Sequence, residues 1–175
     1  ISQANHAISL TPFSRRPVCY SAVMRLTILR GISGSGKSTW AQRHAHEAVV
    51  VSTDAYFVDA DGIYRFDANK LQDHHRRCFR EALEAMLAHE PWIIVDNTNL
   101  CAWEFSPYVL AGESLGYTVE ILSIPCTLAC STARKAWLQE DQLARSLTRF
   151  EEETRRLPSR FRPLHHLLPL NEPQG

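Results

Sequence analysis

Gly31-Ile32-Ser33-Gly34-Ser35-Gly36-Lys37-Ser38 satisfies the pattern G-x-x-x-x-G-K-[ST] at every fixed position. Such a stretch binds phosphate when a strand leads into it and a helix leads out. Leu26-Thr27-Ile28-Leu29 is a short apolar, β-rich run, and Ser38 to His46 has the composition of a helix. Gly31, Gly34 and Gly36 let backbone N–H groups close around a β-phosphate at the positive end of that helix, with Ser33 and Ser35 between them. Lys37 supplies an ammonium between the β- and γ-phosphates, Ser38 a hydroxyl for Mg²⁺, and Thr39 a hydroxyl near the α-phosphate. The stretch reads as a nucleoside triphosphate site.

Working outward, 175 residues suffice for one domain with one core and are too few for two ordinary ones. No apolar run approaches the ~18 residues needed to cross a bilayer, so a soluble protein with no membrane partner is expected. The 19 basic and 19 acidic residues cancel, which excludes a wholesale polyanion binder and makes any nucleic-acid contact local. Apart from Lys37, Lys70 and Lys135 the basic residues are arginines, a choice that suits phosphate handling and that a GC-rich genome would equally produce. Cys19, Cys78, Cys101, Cys126 and Cys130 are scattered, with no C-x-x-C pair, and read as reduced thiols of a cytoplasmic protein.

Residues 1–23 show no helical or alternating period and are expected to be a disordered or non-native leader, with Met24 as the natural start; a basic tail or weak targeting segment is the alternative. Ala48 to Ser52 is a β-branched second strand that ends at Thr53-Asp54, which puts Asp54 at the sheet edge where open α/β folds bind ligands. Ala55 to Asn69, with a turn at Asp61-Gly62 and the aromatics Tyr56, Phe57, Tyr64 and Phe66, is a candidate acceptor loop. A helix to about His89 carries Leu71, Cys78, Phe79, Ala82, Leu83, Met86 and Leu87 at core spacing. His74, His75, Arg76, Arg77 and Arg80 take its other faces, as a solvated or a phosphate-facing surface.

Trp92-Ile93-Ile94-Val95 forms a third strand that ends in Asp96, a Walker-B-like carboxylate able to order a water on Mg²⁺ or to orient Ser38; a turn or cap residue is the alternative. Asn97, Thr98 and Asn99 offer hydrogen bonds to the same cleft. A helix over Trp103 to Leu115 and a strand over Tyr117 to Ile124 complete an α/β, three-layer pattern with a mostly parallel sheet. Helices over Thr127 to Trp137 and Gln142 to Arg155, bearing Arg134, Lys135, Arg145 and Arg149, form a C-terminal helical lid at about 127–155 within a domain of residues 24–157. Prolines at 158, 163 and 169 suggest an irregular tail over 158–175.

Leu29 to Thr39, Ser52 to Phe57, Tyr64-Arg65-Phe66-Asp67, and Val95 to Asn99 with Glu104 and Pro107-Tyr108 resemble the polynucleotide 5′-hydroxyl kinase-like group of P-loop kinases, often labelled AAA-family ATPases or ATP-binding proteins. The likeness runs from Arg25 to about Glu153, and zeta-toxin-like kinases share its ATP side. It implies a P-loop NTPase/kinase fold in which Asp54 matches the general base, Asp96, Thr98 and Asn99 match the D-x-T-N block, and Arg134 matches a lid arginine. Tyr56 and Arg65, with Thr98 and Asn99, are the candidate substrate contacts. Lids of the group run R-N-x-H-G-V-P where this chain reads Arg134-Lys135-Ala136-Trp137-Leu138-Gln139-Glu140, and phage end-healing kinases place an arginine where Phe57 stands.

The expected activity is transfer of the γ-phosphoryl of ATP, with Mg²⁺, to a hydroxyl, with Lys37, Asp54 and Arg134 catalytic and Ser38 and Asp96 on the metal. A polynucleotide 5′ end ranks ahead of a small molecule or sugar nucleotide as acceptor, and a non-kinase ATPase switch is the remaining alternative. No obligate protein partner is implied. On the polynucleotide reading, Arg65, Arg76, Arg77 and Arg134 would neutralise a few acceptor phosphates.

Overall fold

The computed structural model describes residues 23–135 and 138–170; residues 1–22 of the expected leader, Ala136 and Trp137 of the expected lid, and 171–175 of the expected tail lie outside them. Strands β1 (Arg25–Arg30), β2 (Val49–Val51), β3 (Trp92–Asp96), β4 (Thr118–Ser123) and β5 (His165–Leu167) form one parallel sheet in the order β2-β3-β1-β4-β5. Helices α1 (Lys37–His44), α2 (Leu71–Leu87), α3 (Ala102–Ser114), α4 (Leu128–Arg134) and α5 (Glu140–Arg155) lie between them in sequence.

The strands are apolar on both faces because both are covered. Leu26, Ile28, Ile93, Val95 and Ile121 meet Cys78, Ala82 and Met86 of α2 and Phe105 and Val109 of α3. The alternate positions Leu29, Trp92, Ile94 and Leu122 meet Ala41 of α1. The period of two thus divides the side chains between two cores and makes a three-layer α/β fold. A third cluster joins Ile32 of the phosphate loop to Leu100, Cys101, Cys126, Cys130 and Phe150 of α5. Cys78, Cys101, Cys126 and Cys130 are free and buried. Among the described residues no helix is long and apolar enough to cross a membrane.

Two expectations need correction. Leu87 is exposed: it follows Met86, the last core residue of α2, and is turned about 100° away from it. The segment from 158 is not irregular throughout. Phe161 is buried in the larger core with its ring edge-on to Phe105 at 5.2 Å, and a 3₁₀ turn (Arg162–Leu164) leads into β5, where His165 pairs with Ile121 and Leu167 with Ser123. A three-residue edge strand pairs on one side, needs no alternating pattern and tolerates flanking prolines, so its sequence carries almost no strand signal.

Candidate active site

β1 ends at Arg30 and the chain turns through residues 31–36 into α1. Gly34 and Gly36 hold φ of 81° and 99°, a region that strains any residue with a side chain. A Cβ on Gly34 would also lie 3.0 Å from the Ser131 carbonyl oxygen, so α4 can sit on the loop because that atom is missing. The Gly31 amide donates to Thr98 O at 2.9 Å and the Ser35 amide to Ile32 O at 3.2 Å. Ser35 Oγ is buried with no hydrogen-bond partner among the described residues. Lys37 is buried and its Nζ donates to Ile32 O at 2.9 Å. Burial pushes the Lys37 pKa down, against the pull of the Asp96 and Asp54 carboxylates. Thr39 is exposed on α1, where Ser38, Thr39, Gln42 and Arg43 line an open depression.

Asp96 closes β3 beneath the loop. Burial pushes its pKa up, opposed by a hydrogen bond with the Ser38 side chain and by the charge of Lys37. A hydroxyl and a carboxylate side by side at a phosphate loop are hard oxygen donors that suit Mg²⁺. Among the described residues no group of three or more His, Cys, Asp or Glu could hold a metal ion, so these two groups would rely on phosphate and water oxygens to complete its shell.

Two hydrogen bonds clamp the end of β2 to the end of β3: Ser52 Oγ donates to Asp96 O, and the Thr53 amide donates to Asn97 Oδ1, each at 2.9 Å. They carry Asp54, in a 3₁₀ turn (Thr53–Phe57), to the cleft. Asp54 is exposed, forms no ion pair among the described residues, and accepts a hydrogen bond from Tyr64 Oη at 3.3 Å. Its charge is felt by Lys37, Asp96 and His75. The Tyr64 phenol is pushed up to about 12 by burial and by Asp54, so Tyr64 remains a donor.

Of the other candidate contacts, Tyr56, Arg65 and Asn99 each place a polar atom in a hydrogen bond within the fold. Tyr56 Oη donates to Glu81 Oε2 at 2.6 Å, and Arg77 lies 4.3 Å from the centre of its ring. Arg65 Nε donates to Asp59 Oδ2 at 2.6 Å. Asn99 is buried at φ 47° and its Nδ2 donates to Leu29 O at 2.8 Å. Asn97 Nδ2 donates to Cys78 Sγ. The 97–99 segment therefore walls the phosphate loop, with the Thr98 carbonyl on Gly31.

α4 also packs on the loop. Ser131 Oγ donates to Ser33 O at 2.6 Å, and one turn later Arg134 Nη1 donates to Gly34 O at 3.2 Å. Sequence reasoning missed Ser131; its signal was a place three residues before Arg134, on the same helix face. It also missed Arg30, a basic residue closing an apolar strand. Arg30 is fully buried and donates to Leu100 O (2.7 Å), Phe150 O (3.3 Å), Ser123 Oγ (3.3 Å) and Thr154 Oγ1 (2.5 Å). Burial lowers its pKa to about 10, with Glu153 opposing. The C-terminal half of α5, expected as part of a lid, is thereby fastened to the sheet.

Residues 26–162 match the family described as an AAA domain. The chain belongs to the AAA domain family. The phosphate loop, Asp54, Asp96 and Arg134 all lie within the matched residues. NEDD4-binding protein 2 of Homo sapiens is 38% identical over 120 residues, which cover 65% of this chain and 7% of that much longer protein. In fold, the AAA domain is similar to a chain in the Pnkp1/Rnl/Hen1 RNA repair complex, with a TM-score of 0.65 and 15% identity over 82% of this chain and 49% of that one. It is also similar to a chain of the AvrRxo1-ORF1:-ORF2 complex with ATP, with a TM-score of 0.61 and 16% identity over 84% of this chain and 55% of that one. This AAA domain thus spans about half of each structural neighbour.

Proposed function

We propose that this AAA domain transfers the γ-phosphoryl of ATP to a hydroxyl, and that the acceptor is the 5′-hydroxyl of a polynucleotide. The observation that carries the reading is Asp54: an exposed carboxylate, free of ion pairs among the described residues, within electrostatic range of Lys37 and Asp96. Asp54 takes the acceptor's proton as its oxygen bonds to the γ-phosphorus, while the bond to the β–γ bridging oxygen breaks and ADP leaves with the electron pair. Because that transition state is loose, placement matters more than basicity, and a carboxylate serves at neutral pH. Lys37 and Arg134 bring positive charge to the transferred group. Ser38 and Asp96 would hold Mg²⁺, whose charge when bound neutralises the β- and γ-oxygens. The ATP in one fold neighbour and the RNA repair complex of another support the choice of donor and acceptor. The free, buried cysteines support a reducing, cytoplasmic setting.

The test is transfer of label from γ-labelled ATP to a panel of 5′-hydroxyl RNA and DNA, nucleosides and sugar nucleotides. Label is expected on the polynucleotides, and Asp54→Asn should lower kcat by about 10² or more while the Kd for ATP stays within about twofold. Label on sugar nucleotides alone would replace the acceptor; ATP hydrolysis without transfer would replace the kinase with an ATPase switch.

A further inference from the structure

The segment after Asp54 folds back on itself. Val58 and Tyr64 form an antiparallel bridge, the Arg65 amide donates to Phe57 O at 2.7 Å, and Asp59 Oδ1 accepts from the amides of Asp61 and Ile63 around the turn at Gly62. The fold-back gathers rings. Phe57 is buried, and around it lie Tyr64, Phe66 and His74 with ring centres at 5.9, 5.0 and 4.4 Å. Phe66 nevertheless remains 57% exposed and Tyr64 41%, each held against Phe57 and partly open to solvent. Three of the arginines in this segment and on α2 form ion pairs: Arg65 with Asp59, Arg76 with Asp73, Arg77 with Glu81. Two exposed rings on a rigid base, one with its hydroxyl on the proton-accepting carboxylate, suit stacking of a flat ring far better than capture of a phosphate.

We infer that Tyr64 and Phe66 form a stacking platform for the nucleobase of the acceptor's 5′-terminal nucleoside, and that the Tyr64 hydroxyl orients the Asp54 carboxylate toward that nucleoside's 5′-oxygen. The inference rests on the kinase reading and narrows its substrate to acceptors with a ring at the reacting end. Because every base has a π face, the platform selects for a base but not for which one. Tyr64 is a positioning residue, and Phe66 is a binding one.

Two readouts test it on the full chain. The first is quenching of a 5′-terminal 2-aminopurine in a 5′-hydroxyl oligonucleotide, with a non-hydrolysable ATP analogue present. The second is the ratio of kcat/KM for a base-bearing oligonucleotide to that for one with an abasic 5′ residue. The wild type should quench and show a ratio of about ten or more. Phe66→Ala, at an exposed position, should lose the quench and bring the ratio to near one. Tyr64→Phe, which keeps the ring, should preserve quench and ratio but lower kcat. No quench in the wild type, a wild-type ratio near one, or an unchanged ratio in Phe66→Ala overturns the platform, and an unchanged kcat in Tyr64→Phe overturns the orienting role. Quench without transfer to any hydroxyl would uphold the platform and sink the kinase reading; transfer without quench does the reverse.

Discussion

Lys37 and Asp96 are both buried beside the phosphate loop, and burial pushes each toward its neutral form. Each is also the other's principal opposite charge, so the pair is a cost to the fold that the site requires. Neutralising both, in Lys37→Met with Asp96→Asn, should raise stability without nucleotide by about 1–4 kcal/mol. Either single substitution leaves one buried charge behind and should melt below the double variant. Calorimetry of the four proteins closes this cycle, and Lys37→Met should be folded yet inactive in transfer. A double variant less stable than both singles would contradict the argument.

At the scale of elements, Arg30 joins β1, β4, α5 and the loop after β3 through one guanidinium. Arg30→Met would leave Leu100 O without its side-chain donor and bury an uncompensated gap, at an expected cost of about 3 kcal/mol or more in denaturant titration. Arg30→Lys should rescue little, since an ammonium lacks the planar fork that spans these acceptors. The edge strand β5 brings a pH dependence. His165 lies 2.8 Å from Ser123 Oγ, and its pKa is pushed down by burial, with Arg30 and His166 adding to the shift. The unfolded chain then binds protons near the ordinary ~6.5 while the folded one resists them, so stability held above that pH is lost as pH falls through the lower folded value. Unfolding measured between pH 7.5 and 5 should show this loss. His165→Gln should flatten part of it, and His75, also pushed down by burial, keeps part of the rest.

For the whole molecule the governing fact is charge balance: 19 basic residues against 19 acidic. Arg65, Arg76 and Arg77, expected from the sequence to meet acceptor phosphates, form ion pairs with Asp59, Asp73 and Glu81. Arg134, the fourth, donates to the phosphate loop itself. A single-stranded acceptor should therefore bind with a shallow salt dependence, a slope of about −0.7 to −1.4, equivalent to one or two phosphates. Acceptor affinity measured across salt at saturating ATP checks this; a slope several times steeper would return the arginines to the acceptor surface.

The phosphate loop was legible in the sequence because it is local: strand, glycine loop and helix are contiguous, and backbone geometry dictates the residue types. Asp54 and Asp96 were legible because each closes an apolar run, and the carboxyl ends of parallel strands share one edge. The three layers followed from nearly continuous apolar runs, which need cover on both faces. Tertiary packing alone decided where polar side chains spent their hydrogen bonds. Tyr56 and Asn99 looked available, but Glu81 and Leu29 O claim them, while Ser131, Arg30 and Tyr64 acquired partners 98, 70 or more, and 10 residues away. β5 was decided at the same level, since a three-residue strand exists through the edge of β4 that it pairs with. A polar group must satisfy its hydrogen bonds on burial, and which group satisfies it is set by the surfaces that folding brings together, which no local pattern records.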